Sequence, residues 1–328
     1  MTYAPARWLP GANAMTVFAS VARVFPRPRA RRERWELPDG DFLDVDRFET
    51  PRPGAGAPRA DAVLVVCHGL EGSSRAPYVR GLVGMALSTG LSAAALNFRG
   101  CSGEPNRLPR FYHSGETGDL ALAVERLAAE RPGRPILLAG FSLGGNVVVK
   151  YLGERGDGVP REVRGAAAIS VPFDLAGSAR SIDGPGFWNW VYRERFMRRL
   201  RRKAAEKARR FPEAFDAARA AAARTFGEFD AAVTAPLHGF ASAEAYWRES
   251  SAGRFLSGVR RPLLAVASLD DPIVPAATIP AAEAMKNPHV TVEAVAAGGH
   301  VAFVSGWPFW PSFWAERRAV EFLAPLAR

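Results

Sequence analysis

Short runs of apolar residues recur along the chain and alternate with segments of helical periodicity. The runs lie at 61–67, 91–97, 136–138, 164–171, 261–268 and 289–295. Those at 136–138 and 261–268 lack an alternating polar face, which is typical of strands buried on both sides in a parallel sheet. Helices are predicted between them at 78–89, 115–130, 145–152 and 276–286. This alternation predicts an α/β fold with helices on both faces of a mostly parallel central sheet.

The segment before the parallel strands divides into three parts. Residues 34–48 alternate around an Asp39-Gly40-Asp41 turn and predict an antiparallel hairpin, while 50–60 are rich in Pro, Gly and Ala and predict a loop. Residues 1–32 form an N-terminal extension, in which 12–25 predict an amphipathic helix. That helix is too short to span a membrane, and no signal-peptide pattern is visible. We expect it to pack against the domain; a peripheral membrane anchor is the alternative.

A long interruption of the strand–helix alternation runs from residue 172 to 258. It lies between the strand that follows the serine motif described below and the strand at 261–268, so we assign it as a helical cap or lid inserted into a core of residues 33–171 and 259–328. It is rich in aromatic residues, which are numerous enough to line an apolar acyl pocket as well as to form the core of the cap. They are Phe173, Phe187, Trp188, Trp190, Tyr192, Phe196, Phe211, Phe215, Phe226, Phe229, Phe240, Tyr246 and Trp247.

A second aromatic stretch, 307–314, precedes a predicted C-terminal helix at 315–323. We expect its side chains to pack that helix against the sheet. A position bordering the functional site is the alternative, because the stretch begins shortly after His300.

Most of the net positive charge of the chain comes from one predicted cap helix. The whole chain carries +10, and residues Arg193–Arg210 contain ten Lys or Arg against two Glu, a net +8, which leaves about +2 for the remainder. The helix is interpreted as a solvated face, as a contact with an anionic membrane surface, or as a site for an anionic substrate. No nucleic-acid partner is expected, because one basic helix without a binding motif is poor support for one.

Length and cysteine content narrow the class of protein. A chain of 328 residues with 48% hydrophobic residues holds one sizeable core. Its two cysteines, Cys67 and Cys101, are too few for a disulfide framework and are typical of reduced thiols in a cytoplasmic protein. No metal site is expected because the sequence shows no clustered ligands.

Candidate chemistry is concentrated where the strand at 136–138 meets the following helix. Gly140-Phe141-Ser142-Leu143-Gly144 fits the G-x-S-x-G pattern of a nucleophile elbow, in which a serine occupies a strained turn between strand and helix. The glycines allow the strand and the helix to approach closely. The pentapeptide alone is a weak signal, but its strand–helix context favours Ser142 as a nucleophile.

An acid and a base follow in the chain order that this kind of site requires. Asp270 and Asp271 end the strand at 261–268, where active groups gather in open α/β sheets. Asp271 is the preferred acid because of its Asp-x-x-Val-Pro spacing, and Asp270 is the alternative. His300 follows the last strand within Gly298-Gly299-His300. It is predicted to take the proton of Ser142 while the aspartate orients the ring.

The loop after the strand at 61–67 completes the predicted site. In such sites the oxyanion is held by the backbone N–H after the nucleophile, here Leu143, and by one from an early loop, here Leu70. His68 is expected to brace this loop through hydrogen bonds. His113, in the long loop at 98–114, is expected to make a structural hydrogen bond, with substrate contact as the alternative.

Taken together, these motifs resemble the YheT-like α/β-hydrolase family, which groups bacterial esterases with eukaryotic abhydrolase-domain lipid hydrolases. The resembling stretches extend nearly end to end. They are 37–42, 68–72, 97–103, the elbow, Asp270-Asp271-Pro272 and Gly298-Gly299-His300. One departure lies at Asn13-Ala14-Met15-Thr16, where the family tends to have His-x-Gln-Thr. The role of the N-terminal segment therefore stays open.

The resemblance implies an enzyme, a carboxylic ester hydrolase that acts on short- to medium-chain or lipid esters without a cofactor. Ser142 would carry the acyl group, and water would release it. Two alternatives remain: an acyltransferase on the same triad, and a non-catalytic lipid-binding protein. The expected location is cytoplasmic, with a peripheral membrane contact through Arg193–Arg210 as an added hypothesis.

Overall fold

The computed structural model describes residues 2–23, 28–50 and 61–327. Its central sheet has eight strands: β1 (Arg31–Glu36), β2 (Phe42–Phe48), β3 (Val63–Cys67), β4 (Ser92–Asn97), β5 (Ile136–Phe141), β6 (Val163–Ile169), β7 (Leu263–Ser268) and β8 (Val290–Val295). Their order is β1-β2-β4-β3-β5-β6-β7-β8. β1 and β2 form the predicted hairpin, β2 is antiparallel to β4, and all other neighbours are parallel. The predicted α/β sheet is confirmed.

Helices cover both faces of the sheet because successive strand residues point to opposite sides. On one face, Leu64 and Val66 pack against α2 (Pro77–Ser88) and α12 (Trp314–Leu323). On the other face, Val63 and Val65 pack with α3 (Gly118–Glu130) and α4 (Leu143–Arg155). The central strands are buried along their whole length, which explains their unbroken apolar sequences.

One predicted helix differs in the structure, and two other predicted segments extend beyond the described residues. The continuous helix expected at 276–286 is wrong: a 3₁₀ turn at Ala276–Thr278 is followed by the short helix α11 (Ala281–Met285). Pro280 separates them, because proline lacks the N–H that a helix interior requires. Residues 51–60 of the predicted loop and the end of the helix predicted at 12–25 lie outside the described residues.

The insertion between β6 and β7 is helical. Its helices are α5 (Leu175–Asp183), α6 (Phe187–Arg210), α7 (Ala217–Ala222), α8 (Phe226–Phe229), α9 (Ala235–His238) and α10 (Ala243–Ser250), with a π-helical turn at Asp230–Thr234 between α8 and α9. Met197, Leu200, Phe229 and Val233 share one apolar cluster with Phe111 from the loop after β4. The 3₁₀ segment Ala252–Gly258 differs, since Ala252 and Leu256 pack into the core cluster beside α4.

The basic helix α6 uses much of its charge inside the protein. Lys203 pairs with Glu71 at 2.5 Å, and Arg201 pairs with Glu194 at 2.8 Å. Lys207 is buried and donates to backbone carbonyls in the loop after β4, and this burial lowers its pKa to about 8. The expectation of a uniformly solvated face is therefore wrong for these three residues.

The N-terminal helix α1 (Ala12–Val21) packs against the domain, as expected. Met15 and Ala19 are buried against Ala302, Val304 and Phe313. Among the described residues, no helix combines the length and the apolar character that crossing a bilayer requires.

The C-terminal aromatic stretch forms a hairpin of β9 (Val304–Trp307) and β10 (Trp310–Phe313). Its outer residues Trp307, Phe309 and Trp310 are 78%, 85% and 81% exposed. The expectation that they pack the last helix is wrong, because the alternation of the hairpin turns only its other side inward. Trp314 is buried and packs with the sheet as expected, whereas Phe313 is buried against α1.

Asn146, on α4, joins the core to the insertion through a fully buried side chain. Its amide nitrogen donates to Ser114 O at 2.8 Å and Ser250 O at 2.7 Å, and its oxygen accepts from Ala252 N at 2.9 Å. One side chain thus satisfies three buried backbone groups. Leaving such groups without partners costs about 1–3 kcal/mol each.

We predict that Asn146→Ala lowers the free energy of unfolding by about 3–4 kcal/mol, because three buried backbone groups lose their partner. Asn189→Ala is the matched control, since Asn189 also donates to two backbone carbonyls but at a partly exposed position. Its expected loss is below about 1 kcal/mol. Urea denaturation of both variants measures the difference, and equal losses would contradict this account.

Candidate active site

Ser142 lies at the bend between β5 and α4, with φ 51° and ψ −119°. Its N–H donates to Ile169 O on the neighbouring strand at 2.8 Å. Glycine is required on both sides of the bend: a Cβ on Gly140 would overlap the carbonyl of Gly144, and a Cβ on Gly144 would overlap the carbonyl of Cys67. The local sequence therefore allows β5, α4 and β3 to meet around one strained serine.

The structure brings Ser142, His300 and Asp271 into one chain of contacts. His300 Nε2 lies 3.0 Å from Ser142 Oγ, and His300 Nδ1 lies 2.8 Å from Asp271 Oδ2. Asp271 Oδ1 accepts from the N–H groups of Ile273 and Val274 at 2.8 and 3.0 Å. The carboxylate is held on both oxygens, so it can fix the orientation of the imidazole.

Asp270, the alternative acid, has a different position. Its Oδ1 accepts from Gly298 N at 2.8 Å and Gly299 N at 2.9 Å, and Ser268 Oγ lies 2.5 Å away. Asp270 therefore fastens the loop that carries His300, whereas Asp271 contacts the ring itself. Adjacent aspartates at one strand end have separate partners.

The loop around His300 is held in a strained conformation by residues far away in the sequence. Gly299, Val301 and Phe303 have φ values of 62°, 54° and 43°. The N–H of His300 donates to Thr16 Oγ1 at 2.9 Å, and the N–H of Val301 donates to Ser170 Oγ at 3.0 Å. Such conformations persist only where the surroundings hold them in place.

Sequence reasoning missed Thr16 as a residue of the site. It had identified the segment 13–16 only as a departure from the family pattern, and no local signal places a threonine of the first helix beside a histidine 284 positions away. Asn13, in the same segment, accepts from Tyr192 OH at 2.8 Å. The N-terminal segment therefore contacts both the His300 loop and α6.

The oxyanion-hole candidates follow from the hydrogen bonds in the loop after β3. Gly69 N donates to Tyr78 OH at 3.0 Å, Glu71 N donates to Tyr112 OH at 2.6 Å, and Gly72 N donates to Gly69 O at 2.9 Å. Within the described residues, the N–H of Leu70 has no hydrogen-bond partner. The N–H of Leu143, at the first position of α4, also has no hydrogen-bond partner among these residues. Both predicted donors are therefore free to bind an oxyanion.

His68 braces this loop, as predicted. Its Nε2 accepts from Phe98 N at 3.2 Å, and its Nδ1 lies 2.7 Å from Gly69 O. This pairing requires the proton on Nδ1. Complete burial lowers the pKa of His68 to about 4, so the ring is neutral and suits a structural role.

The basic helix α6 also holds the loop after β3. Lys203 Nζ pairs with the carboxylate of Glu71, and Arg199 donates to the backbone carbonyl of Glu71 at 3.1 Å. Glu71 itself has a φ of 53°. Part of the charge of the insertion therefore fixes the geometry around the Leu70 N–H.

Two cavities meet at Ser142 and His300. The first is mostly apolar and extends beneath the insertion. Among its lining residues are Leu175, Ala179, Ile182, Leu200, Phe226 and Phe229. Asp230 also lines it, accepts from Thr234 Oγ1 at 2.6 Å and Trp247 Nε1 at 2.8 Å, and has its pKa raised to about 6 by burial.

The second cavity is a cleft with a polar wall. It lies between α1 and α6 and includes the side chains of Arg75, Arg195 and Arg199. In the described part of the chain, none of these three guanidinium groups has a carboxylate within 4.0 Å. The cleft therefore combines access to Ser142 with an excess of positive charge.

The aromatic residues predicted to line an acyl pocket separate into groups. Phe196, Phe226, Phe229, Tyr246 and Trp247 do line the apolar cavity. Phe173 and Phe215 are buried in packing clusters, and Tyr192 lines the cleft. For Phe187, Trp188 and Trp190 the prediction is wrong, because they are exposed at the start of α6.

The structure corrects one premise about metals. His113, Glu116 and His238 offer ligand atoms within 4.8 Å of one another, so potential ligands do cluster. Arg110 already pairs with Glu116 there, and a cation bound beside that guanidinium would be repelled. We propose no metal at this cluster. His113 lines the apolar cavity and accepts from Gly115 N at 3.1 Å, which confirms its structural hydrogen bond.

Neither cysteine has the features of a nucleophile. Cys67 and Cys101 are free thiols, as expected from the sequence. Burial raises the pKa of Cys67 to about 12 and that of Cys101 to about 11. A thiol with a raised pKa stays protonated and unreactive near neutral pH.

The chain matches a known protein family with this architecture. The alpha/beta hydrolase fold family matches residues 62–306. YheT of Escherichia coli (strain K12), provisionally named an esterase, is 38% identical over 89% of this chain and 84% of its own. Phospholipase ABHD3 of Mus musculus is 29% identical over 94% of this chain and 74% of its own. The monoacylglycerol lipase of Saccharomyces cerevisiae is 31% identical over 87% of this chain and 60% of its own.

A solved structure supports the fold. The esterase Pf2001 of Pyrococcus furiosus has a TM-score of 0.58 and 16% identity, covering 90% of this chain and 92% of its own. At that identity the likeness concerns the fold alone. The family match over most of the chain and the identity to YheT show that the chain belongs to the α/β-hydrolase fold family, as a YheT-like member.

Proposed function

We propose that this protein is a serine esterase that hydrolyses carboxylic acyl esters through an acyl-enzyme on Ser142. The observation that carries the proposal is the contact chain from Ser142 Oγ through His300 to Asp271, at 3.0 and 2.8 Å. The relatives named as esterase, phospholipase and monoacylglycerol lipase support ester hydrolysis as the reaction class.

In the acylation step, Ser142 Oγ attacks the ester carbonyl as His300 Nε2 takes its proton. The carbonyl oxygen becomes an oxyanion, which the N–H groups of Leu70 and Leu143 would stabilise. Collapse of this intermediate breaks the bond to the alcohol, and His300 returns the proton to that leaving group.

In the deacylation step, a water replaces the alcohol. His300 removes a proton from the water as it attacks the acyl carbonyl, and the second intermediate releases the carboxylic acid and the Ser142 hydroxyl. Throughout, Asp271 keeps the imidazole proton on Nδ1 and stabilises the imidazolium.

The two cavities provide one place for each half of an ester. We assign the acyl chain to the apolar cavity, because its lining offers aliphatic and aromatic contacts. We assign the alcohol half to the cleft lined by Arg75, Arg195 and Arg199. That charge favours an alcohol that carries an anionic group, and the phospholipase among the relatives acts on such a class by name.

The first prediction concerns the triad. Ser142→Ala is expected to lower kcat by about 10⁶, and Asp271→Asn by about 10⁴, because an amide at position 271 favours the wrong imidazole tautomer. Asp270→Asn is the matched control: its remaining oxygen still accepts from Gly298 and Gly299, so it should keep activity within about tenfold. Hydrolysis of 4-nitrophenyl butyrate and fluorophosphonate labelling measure these effects.

Thermal unfolding of each variant checks that it is folded. Turnover or labelling that persists in folded Ser142→Ala would remove the proposed nucleophile. A larger loss in Asp270→Asn than in Asp271→Asn would reverse the assignment of the acid.

The second prediction concerns the acyl cavity. Ala179→Trp places an indole in that cavity and should lower the ratio of rates on twelve-carbon and four-carbon 4-nitrophenyl esters at least about tenfold. Acetate hydrolysis serves as the internal control and should stay within about threefold. Ala179→Leu should give an intermediate shift. An unchanged chain-length profile in folded variants would place the acyl chain elsewhere.

The third prediction concerns the cleft. Replacing Arg195 and Arg199 together by Gln should lower, by about tenfold, the kcat/KM on a short-chain acylglycerol phosphate relative to the matching acylglycerol. Both substrates are used below the concentration at which they form micelles. Arg209→Gln, on the exposed end of α6, removes the same kind of charge outside the cleft and should leave the ratio unchanged. An unchanged ratio in the double variant would exclude the anionic alcohol while leaving ester hydrolysis intact.

A further inference from the structure

The outward face of α1 is apolar. At about 100° per residue, Ala14, Val17 and Val21 lie opposite the buried pair Met15 and Ala19. Val21 is 75% exposed. The helix contacts two elements that carry exposed aromatic side chains, the β9–β10 hairpin and α6.

On one side, α1 packs through Met15 and Ala19 against the β9–β10 hairpin, which carries three exposed aromatic residues. Trp8, which precedes α1, connects the two: its Nε1 donates to Gly306 O at 2.8 Å, and its ring packs edge-on against Phe18 at 5.0 Å. Trp8 thus joins the Phe18 side of α1 to the end of the hairpin at which Trp307 and Trp310 are exposed.

On the other side of α1 lies the first turn of α6. Tyr192 OH donates to Asn13, and Arg195 lies 3.4 Å from Ser20 Oγ. Before Tyr192, the rings of Phe187, Trp188 and Trp190 contact one another and are 67%, 40% and 53% exposed. Apolar side chains therefore border α1 on this side too.

The same region carries uncompensated positive charge. On α6, Arg195, Arg198, Arg199 and Arg202 are exposed. Within the described ranges, the one carboxylate near any of them is Glu194, 3.4 Å from Arg198 and shared with Arg201. Exposed aromatic rings beside arginines that outnumber the nearby carboxylates are what an anionic lipid surface binds.

The cleft to Ser142 opens in this region. Its walls include Thr16 and Ser20 on α1 and Tyr192 and Arg199 on α6. A surface that covered α1 and the start of α6 would therefore lie at the entrance to the site.

We propose that this face, formed by α1, the start of α6 and the β9–β10 hairpin, docks on a bilayer surface that contains anionic lipid. The aromatic rings enter the interfacial region, and the arginines contact lipid phosphates. A second copy of the chain fits less well, because a symmetric contact would place the arginines of α6 against their own copies. The docking does not depend on the proposed reaction.

The test uses the full-length Ser142→Ala protein, so that lipid hydrolysis cannot affect the result. Its sedimentation is measured with phosphatidylcholine vesicles, alone or with about 30 mol% phosphatidylglycerol, at low and high salt. We expect tight binding to the mixed vesicles that weakens with salt. Brominated lipid should quench tryptophan fluorescence, because Trp307 and Trp310 enter the bilayer surface.

Two double variants separate charge from aromatic contact. Arg198→Gln with Arg202→Gln should weaken binding to mixed vesicles by about 30-fold and reduce its salt dependence. Trp307→Ser with Trp310→Ser should weaken binding to both kinds of vesicle by at least about tenfold. The matched control, Arg254→Gln with Arg260→Gln, removes two exposed arginines that contact backbone carbonyls elsewhere and should stay within about twofold.

Three outcomes would overturn the proposal: no binding of the parent protein to mixed vesicles, equal weakening in the control, or no effect of either double variant. Analytical ultracentrifugation tests whether a second copy of the chain occupies this face instead. Suppose that the parent protein fails to bind vesicles but forms a dimer that Trp307→Ser with Trp310→Ser dissociates. That result would assign the face to a contact between two copies of the chain.

Discussion

The close approach of three backbone segments at Ser142 is the constraint on which the site depends. β5 must stop, turn through a positive φ and continue as α4 while the end of β3 lies against the same turn. Only glycine at 140 and 144 leaves room for this. The result places the Ser142 hydroxyl, the free N–H of Leu143 and the loop bearing Leu70 within one small region. Strain at this point is maintained by the buried sheet around it.

The rest of the site is arranged around that turn by contacts between segments distant in the sequence. Asp270 fastens the His300 loop, Thr16 accepts from the backbone of His300, and Lys203 holds the loop after β3 through Glu71. Among the described residues, four of the five non-glycine residues with positive φ lie in the serine turn and these two loops, and the fifth, Ser170, accepts from the backbone of Val301. The site is therefore a set of strained loops held by neighbours that do no chemistry themselves.

Sequence reasoning predicted those parts of the fold and site that have local signatures. A few consecutive residues show each apolar strand, the β1–β2 hairpin and the serine turn. The order of serine, acid and histidine follows once the short motif around each of them is found. Asp271 was preferred over Asp270 on its spacing alone, and that spacing does not show which carboxylate the folded chain turns toward His300. Thr16 and the exposure of Trp307 and Trp310 were out of reach for the same reason: they depend on tertiary packing. The prediction of a solvated face for α6 was wrong for part of the helix. A count of charges along the sequence does not show partners such as Glu71 that the fold brings to the helix.

The contact between Thr16 and His300 has a consequence for how the site forms in time. Thr16 precedes Ser142 in the chain and His300 follows it, so synthesis delivers the three residues in that order. Ser142 and its turn can therefore fold while the nascent chain still lacks its base and the support of that base. Residues 62–306, the span that matches the family, contain Ser142, Asp271 and His300 but exclude Thr16 and the last strand and helix. The reactive serine thus acquires its base only after residue 300 has been synthesised, and the base acquires its Thr16 contact only when segments 284 positions apart meet.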